Sequence, residues 1–273
     1  MTEKKNDRGH YENRPALQLI NICNTQLNNP AEYTIARAIL SLSDEKETIT
    51  LSRLAEMANT SEASVSRFIR KCGYASFQDF RQNYQMFMVQ LRLSRKVEGL
   101  RTNQTRDYEE IAQIVYNRMK YNIERTKENV KPERLMDLIH RFRNASSVTF
   151  LGDDHTLSDF YTLQLDLLAA GIPSYLFKNR EFQKIHAKSL QPGDLLVYLN
   201  VHTDFMTSTE KKIMLDLHEK GVALVGMYQE EPEGMTDLFD DLILYGAAGS
   251  KNDGFVSLWY LSRTLSELFS ASL

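Results

Sequence analysis

The sequence predicts an α + α/β protein: an N-terminal helix-turn-helix bundle, linker helices, and a C-terminal doubly wound parallel sheet. Three observations carry this. Apolar residues recur at helical spacing through the first 144 positions. Beyond Asn144, short apolar runs alternate with amphipathic stretches, the pattern of a parallel sheet covered on both faces. Charge also divides along the chain. Residues 1–106 hold 16 Lys/Arg against 11 Asp/Glu, a balance of +5, whereas residues 107–273 hold 17 against 25, a balance of −8. A basic module ahead of an acidic remainder suits a protein that meets a polyanion.

The chain has 273 residues, enough for two domains that each bury a core. Composition is that of a globular protein, 42% hydrophobic and 25% charged, without low-complexity tracts or repeats. No run of 18 apolar residues occurs, which argues against a membrane partner. The opening stretch to Pro15 is charged and has no apolar centre, unlike a secretory signal. Cys23 and Cys72 stand far apart with no metal-like spacing, so both read as small apolar groups in a reducing cytoplasm. No cofactor and no metal site is expected.

In order, residues 16–26 form a short amphipathic run and Tyr33 to Leu42 a helix with Ile35, Ile39 and Leu42 on one face. Thr50 caps a helix reaching Ala58 with Leu51 and Leu54 inward. Asn59 and Thr60 make a tight turn. Ser61 opens a helix with Val65, Phe68 and Ile69 on one stripe, ending at Gly73. Ser76 opens a longer one through Phe77, Phe80, Tyr84, Phe87 and Leu91. Residues 94–106 are polar and read as linker. Residues 107–144 are helical, with Ile111, Ile114, Val115, Met119 and Ile123 as the apolar set of the first part. Strands are expected at 148–152, 172–177, 195–199, 223–228 and 241–246, and helices at 157–170, 208–220 and about 253–270. The expected domains are thus 1–92, a connecting region 93–144, and 145–273.

The stretch from Thr50 to Tyr74 carries the functional argument. A recognition helix enters the major groove with its first turns, so small hydrogen-bonding residues there can approach base edges. Ser61, Ser64 and Ser66 fill that place, and Arg67, Arg70 and Lys71 supply cations for base edges or phosphates. Residues 51–81 resemble the N-terminal domain of RpiR-family transcription regulators in Leu54-Ala55, Ser61, Val65, Arg67-Phe68, Lys71, Gly73-Tyr74, Phe77 and Phe80. Cys72 stands where leucine is common. The resemblance implies binding to a double-stranded DNA operator as a homodimer or homotetramer, with those six residues as contacts, and control of carbohydrate-related genes.

That family usually carries a sugar isomerase (SIS) domain, and residues 107–273 have the matching size and order. A phosphosugar site needs a Gly-rich turn after the first strand and hydroxyl donors at a helix start. The family pattern Gly-x-Gly-x-Ser reads here Gly152-Asp153-Asp154-His155-Thr156, and the later Ser-x-Ser-Gly-x-Thr reads Asn200-Val201-His202-Thr203-Asp204-Phe205. Gly152, His155, Thr156, Asn200, His202 and Thr203 are the expected effector set. Three uses of the domain stay open: dimerisation alone, a small-molecule effector other than a phosphosugar, or a phosphosugar held through backbone amides. Two other classes, an SIS-type sugar-phosphate isomerase and an adaptor that binds no DNA, are set against the regulator, which is expected to be no enzyme.

Overall fold

The computed structural model describes residues 15–25, 29–42, 49–94, 108–178, 180–201, 208–247 and 254–272. The chain divides into two compact units, Met1–Gln104 and Thr105–Leu273.

The first unit is helical: α1 Pro15–Thr25, α2 Pro30–Ser41, α3 Leu51–Met57, α4 Glu62–Lys71 and α5 Phe77–Ser94. Its core joins Leu19, Ile39, Leu54, Ile69, Phe80 and Tyr84, all nearly solvent-free. Phe80 packs edge-on to Tyr74 at 5.2 Å and stacks with Tyr84 at 5.7 Å. Both functional turns share one device. After α3, Thr60 N–H donates to Ala55 O and Asn59 N–H to Glu56 O. After α4, Tyr74 N–H donates to Ile69 O and Gly73 N–H to Arg70 O. This is the Schellman closure, which requires a left-handed residue just past the cap. Gly73 supplies it at φ +92° and Asn59 at φ +48°. Asn tolerates that region and β-branched residues do not. Asn59→Val is therefore expected to destabilise this unit by about 1–2 kcal/mol, and Asn59→Gly to leave it nearly unchanged, in denaturant titration.

The second unit opens with α6 Tyr108–Asn129 and α7 Pro132–Asn144. Then come β1 Val148–Leu151, α8 Asp154–Asp159, α9 Tyr161–Ala169, β2 Ser174–Leu176, α10 Arg180–Ser189, β3 Leu195–Leu199 and α11 Ser208–Lys220. β4 Ala223–Tyr228, a 3₁₀ turn Thr236–Leu238, β5 Asp241–Leu244 and α12 Gly254–Ala271 complete it. All five strands are parallel, in the order β2-β1-β3-β4-β5. Alternation sends Val148, Phe150, Val197 and Val225 to one face, where Leu138, Leu163 and Leu261 cover them. Leu196, Tyr198 and Leu224 face the other side with Ile213, Met214 and Leu217. The sheet is doubly wound, as the strand and helix alternation predicts.

Three differences from the sequence reading have physical causes. The single helix expected at 157–170 is two, α8 and α9, parted at the fully buried Phe160, whose ring lies 5.4 Å from that of Phe150. The helix α10 was not expected. Phe182 and Ile185 point outward and only Ala187 of its apolar residues is solvent-free, so its sequence has little core-facing periodicity. The helices α6 and α7, read as connecting elements, pack within the second unit against α12.

His186 on α10 packs against the rings of Tyr175 and Phe177, at 4.6 and 4.8 Å, with its Nε2 3.0 Å from Thr149 Oγ1. Burial holds its pKa below the ordinary value of 6.5, against an opposing pull from Asp194. The fold therefore favours neutral imidazole. Its contribution is complete above the unfolded pKa and is lost as pH falls through the folded one. Thermal unfolding followed from about pH 7 to pH 5 is expected to show a steeper fall in Tm for the wild type than for His186→Gln.

Candidate nucleic-acid interface

Helix α4 is anchored by its apolar stripe. Val65 and Ile69 are solvent-free and Phe68 nearly so; each large side chain buried in this way contributes about 1.5–3 kcal/mol. At about 3.6 residues per turn, the side opposite that stripe carries Ala63, Arg67 and Arg70. Ser64 and Lys71 lie on one shoulder of it and Ser66 on the other. Arg67, Arg70 and Lys71 are exposed, Ser64 and Ser66 half-buried. The structure thus brings all six predicted contact residues to one helix and its cap.

The first turns of this helix are ordered by their own hydroxyls. Ser61 is the N-cap: Ser64 N–H donates to its Oγ at 3.2 Å. The Ser61 and Ser64 hydroxyls lie 3.0 Å apart, and Arg67 Nη2 donates to Ser64 Oγ at 3.2 Å. A connected polar line thus runs along α4 from Ser61 to Arg67. Lys71 is engaged differently. Its Nζ donates to Glu32 in the first turn of α2, whose side chain is mostly buried while the lysine stays exposed. This bond ties α4 to α2, so part of the lysine's charge is already answered.

Ala63 was absent from the predicted contact set. It stands on the outer face one turn before Arg67, exposed, at the end of the helix that a major groove would admit. A helical projection of 61–72 finds it; a search for donors and cations does not. A methyl group there suits the thymine 5-methyl.

Cys72 follows α4, and its carbonyl accepts from Gln18 Nε2 at 3.3 Å. Burial, with Glu32 adding to it, pushes its thiol up to about 12. A thiol so placed is almost wholly protonated near neutrality, so slow alkylation of Cys72 in the folded protein at about pH 8 is the expected result, read by mass spectrometry.

In the second unit the strand order reverses between β1 and β3, and in such sheets the crevice outside the carboxyl ends at that point takes ligands. Gly152, His155, Thr156 and Asn200 of the predicted effector set come together at these ends. His202 and Thr203 lie outside the described residues, as do Asp204 and Phe205. Gly152 and His155 have structural employments of their own, and Asn200 has one through its backbone carbonyl. A Cβ at Gly152 would stand 2.9 Å from Leu199 O, so the close passage of β1 past β3 alone demands glycine. His155 lies on the ring of Phe255 at 4.4 Å. Asn200 O accepts the hydroxyl of the solvent-free Tyr245. Thr156 is fully buried, and its Oγ1 meets no partner among the described residues.

The cap of α8 matters most. Asp153 is its N-cap, and its Oδ1 accepts Thr156 N–H at 2.9 Å. One amide of this helix start is thus held by the chain's own carboxylate. Asp159 nearby is pushed up chiefly by burial; His155 opposes that shift and Asp153 adds to it. Among the described residues no group of three His, Cys, Asp or Glu side chains is placed to hold a metal ion. No helix among them is long and apolar enough to cross a membrane. A surface cleft lined by Arg134, Asp137, His140, Arg141 and Asp241 lies at the opposite, amino-terminal end of the sheet, where Arg134 pairs with Asp241.

Residues 16–86 match the family model described as a helix-turn-helix domain of the rpiR family. The first unit carries an rpiR-family helix-turn-helix domain. The chain also aligns with an uncharacterised HTH-type transcriptional regulator of Caldanaerobacter subterraneus subsp. tengcongensis, 26% identical over 166 residues. That alignment takes in 61% of this chain and 58% of the relative, so the two correspond over little more than half the relative's length. Among solved structures, the fold is like that of the Vibrio vulnificus NanR protein complexed with ManNAc-6P. The TM-score is 0.51 at 18% identity, covering 94% of this chain and 92% of that one. The sugar isomerase domain of an RpiR transcription factor from Sphaerobacter thermophilus gives a TM-score of 0.49 at 18% identity, over 59% of this chain and 90% of that one. At 18% identity the likeness to NanR is one of fold.

Proposed function

We propose that this rpiR-type protein is a DNA-binding transcription regulator, not an enzyme, and that α4 reads the major groove of a double-stranded operator. The observation that carries the reading is the outer face of α4. Small residues and an ordered hydroxyl line occupy its first turns, Arg67 and Arg70 follow, and the helix is held from behind by a solvent-free stripe. Ser61, Ser64 and Ser66 approach base edges, Arg67 and Arg70 meet guanine edges or phosphates, and Lys71 steadies the helix through Glu32 while adding positive field. The test is selection of random duplexes on the purified full chain. A single enriched motif, bound in physiological salt far more tightly than a scrambled duplex, supports the reading. Uniform, salt-labile binding to all duplexes sinks it.

The second unit is assigned to assembly, with no phosphosugar held at its strand ends. NanR is complexed with ManNAc-6P, which makes a sugar phosphate the first ligand to try. Against it stand the Asp153 carboxylate on the α8 amide and a second carboxylate, Asp159, nearby. Two like charges at close range repel by about 1 kcal/mol even in water. Thermal-shift measurements with hexose and hexosamine 6-phosphates at millimolar concentration are expected to leave Tm unmoved; a saturable rise with any of them would overturn this part of the reading.

A further inference from the structure

Ala63 stands at the middle of the outer face of α4. At about 100° of turn per residue, the stripe of Val65, Phe68 and Ile69 lies on the far side of the helix from it, and Arg67 and Arg70 flank it at about 40° and 20° on either side. Ala63 is exposed and lies outside the core of its unit, so packing makes no use of its methyl. Its neighbours are committed. Ser61 Oγ accepts Ser64 N–H at 3.2 Å, the two hydroxyls lie 3.0 Å apart, and Arg67 Nη2 donates to Ser64 Oγ at 3.2 Å. Either hydroxyl can bond a base only by loosening a bond inside the helix. The methyl of Ala63 gives up nothing but water. With only a Cβ projecting there, the first turns can come close to the group that they face.

The geometry points to Ala63 as a residue that sets operator sequence: its methyl packs on the 5-methyl of a thymine, within about three base pairs of a guanine met by Arg67. This role rests on α4 being the groove-reading helix proposed above, and adds which base its first turn selects. Two effects act together. Thymine alone carries a methyl on its major-groove edge, and burying that methyl against Ala63 is favourable. Adenine and cytosine present an amino group there, and guanine two acceptors. Pressed on a methyl, such a group loses its water and finds no partner, so the wrong base is penalised as well as the right one favoured. The spacing follows from the helix. Residues four apart have Cβ atoms about 5–6 Å from each other, successive base pairs rise about 3.4 Å, and Arg67 adds its own length.

The test is mobility shift of the full chain on its selected operator, with each thymine replaced in turn by deoxyuridine, which lacks only the 5-methyl. At one thymine of the site the replacement should weaken wild-type binding about three- to tenfold. Ala63→Gly should bind the thymine and uracil operators equally, with circular dichroism unchanged and discrimination at the remaining positions kept. Arg67→Ala should relax a guanine within about three base pairs of that thymine. An operator on which every uracil replacement is silent overturns the assignment, and this wild-type measurement decides it whatever Ala63→Gly does to the helix. A uracil penalty that survives in Ala63→Gly also overturns it, because the methyl is then read by another residue. A selection that enriches no motif is a different failure: it removes the DNA-binding reading, and this role with it.

Discussion

Arg67→Ala and Arg70→Ala should each cut affinity for the selected operator about tenfold to a hundredfold, the cost of about 1–3 kcal/mol attached to one good contact. Mobility shift at a fixed physiological salt is the measurement, and repeating it across salt concentrations separates the two roles. Arg67 continues the ordered line from Ser61 and Ser64, so its guanidinium starts from a restrained position beside the turn that enters the groove. Its loss should relax discrimination between operator and mismatched duplexes. Arg70 lies one turn further along the exposed face. If it meets phosphate, its loss should weaken all duplexes alike and lower the slope of log affinity against log salt by about one. Lys71→Ala should cost less affinity and more stability, since Lys71 is paired with Glu32. Unchanged affinity in both arginine variants would remove α4 from the groove.

Phe80→Ala is expected to abolish DNA binding by a different route. Phe80 is solvent-free and packs against both Tyr74 and Tyr84. Deleting a buried phenyl ring costs about 3–5 kcal/mol, through lost burial and the cavity left behind. A small helical unit has a total stability of the same order, about 5–15 kcal/mol at most. The variant should therefore be largely unfolded in its first unit at physiological temperature. Calorimetry is the check: the transition of the helical unit should drop or vanish, while that of the sheet unit keeps its Tm. A single transition that shifts as a whole would mean that the two units unfold together.

The helix-turn-helix was legible because its signals are local. Thr50 and Ser61 announce the helix starts, Gly73 announces a stop, and the Val65, Phe68 and Ile69 stripe fixes which side of α4 faces inward. The left-handed Asn59 was less legible, since asparagine suits several kinds of turn. The strands of the sheet were legible as continuous apolar runs, fitting a sheet buried on both faces. What escaped was relational. The sequence shows Asp153 as one acid beside another in a spoiled glycine motif; only the fold shows its carboxylate on an amide three residues on. Helical spacing placed Val115 and Met119 in an apolar set without revealing that packing reaches only the later part of α6. Tertiary contact, which periodicity cannot see, decides how far along a helix burial extends.

The Asp153 cap has one more consequence. A ligand moves a protein between two states only by binding one of them better than the other. An acceptor fixed to the chain is present in every molecule at every metabolite level, and it cannot be diluted away. If the cap persists in both states of such a regulator, that amide offers a dissolved anion no preference to express. Any small molecule that moves the protein between states would have to draw its differential contacts from other groups.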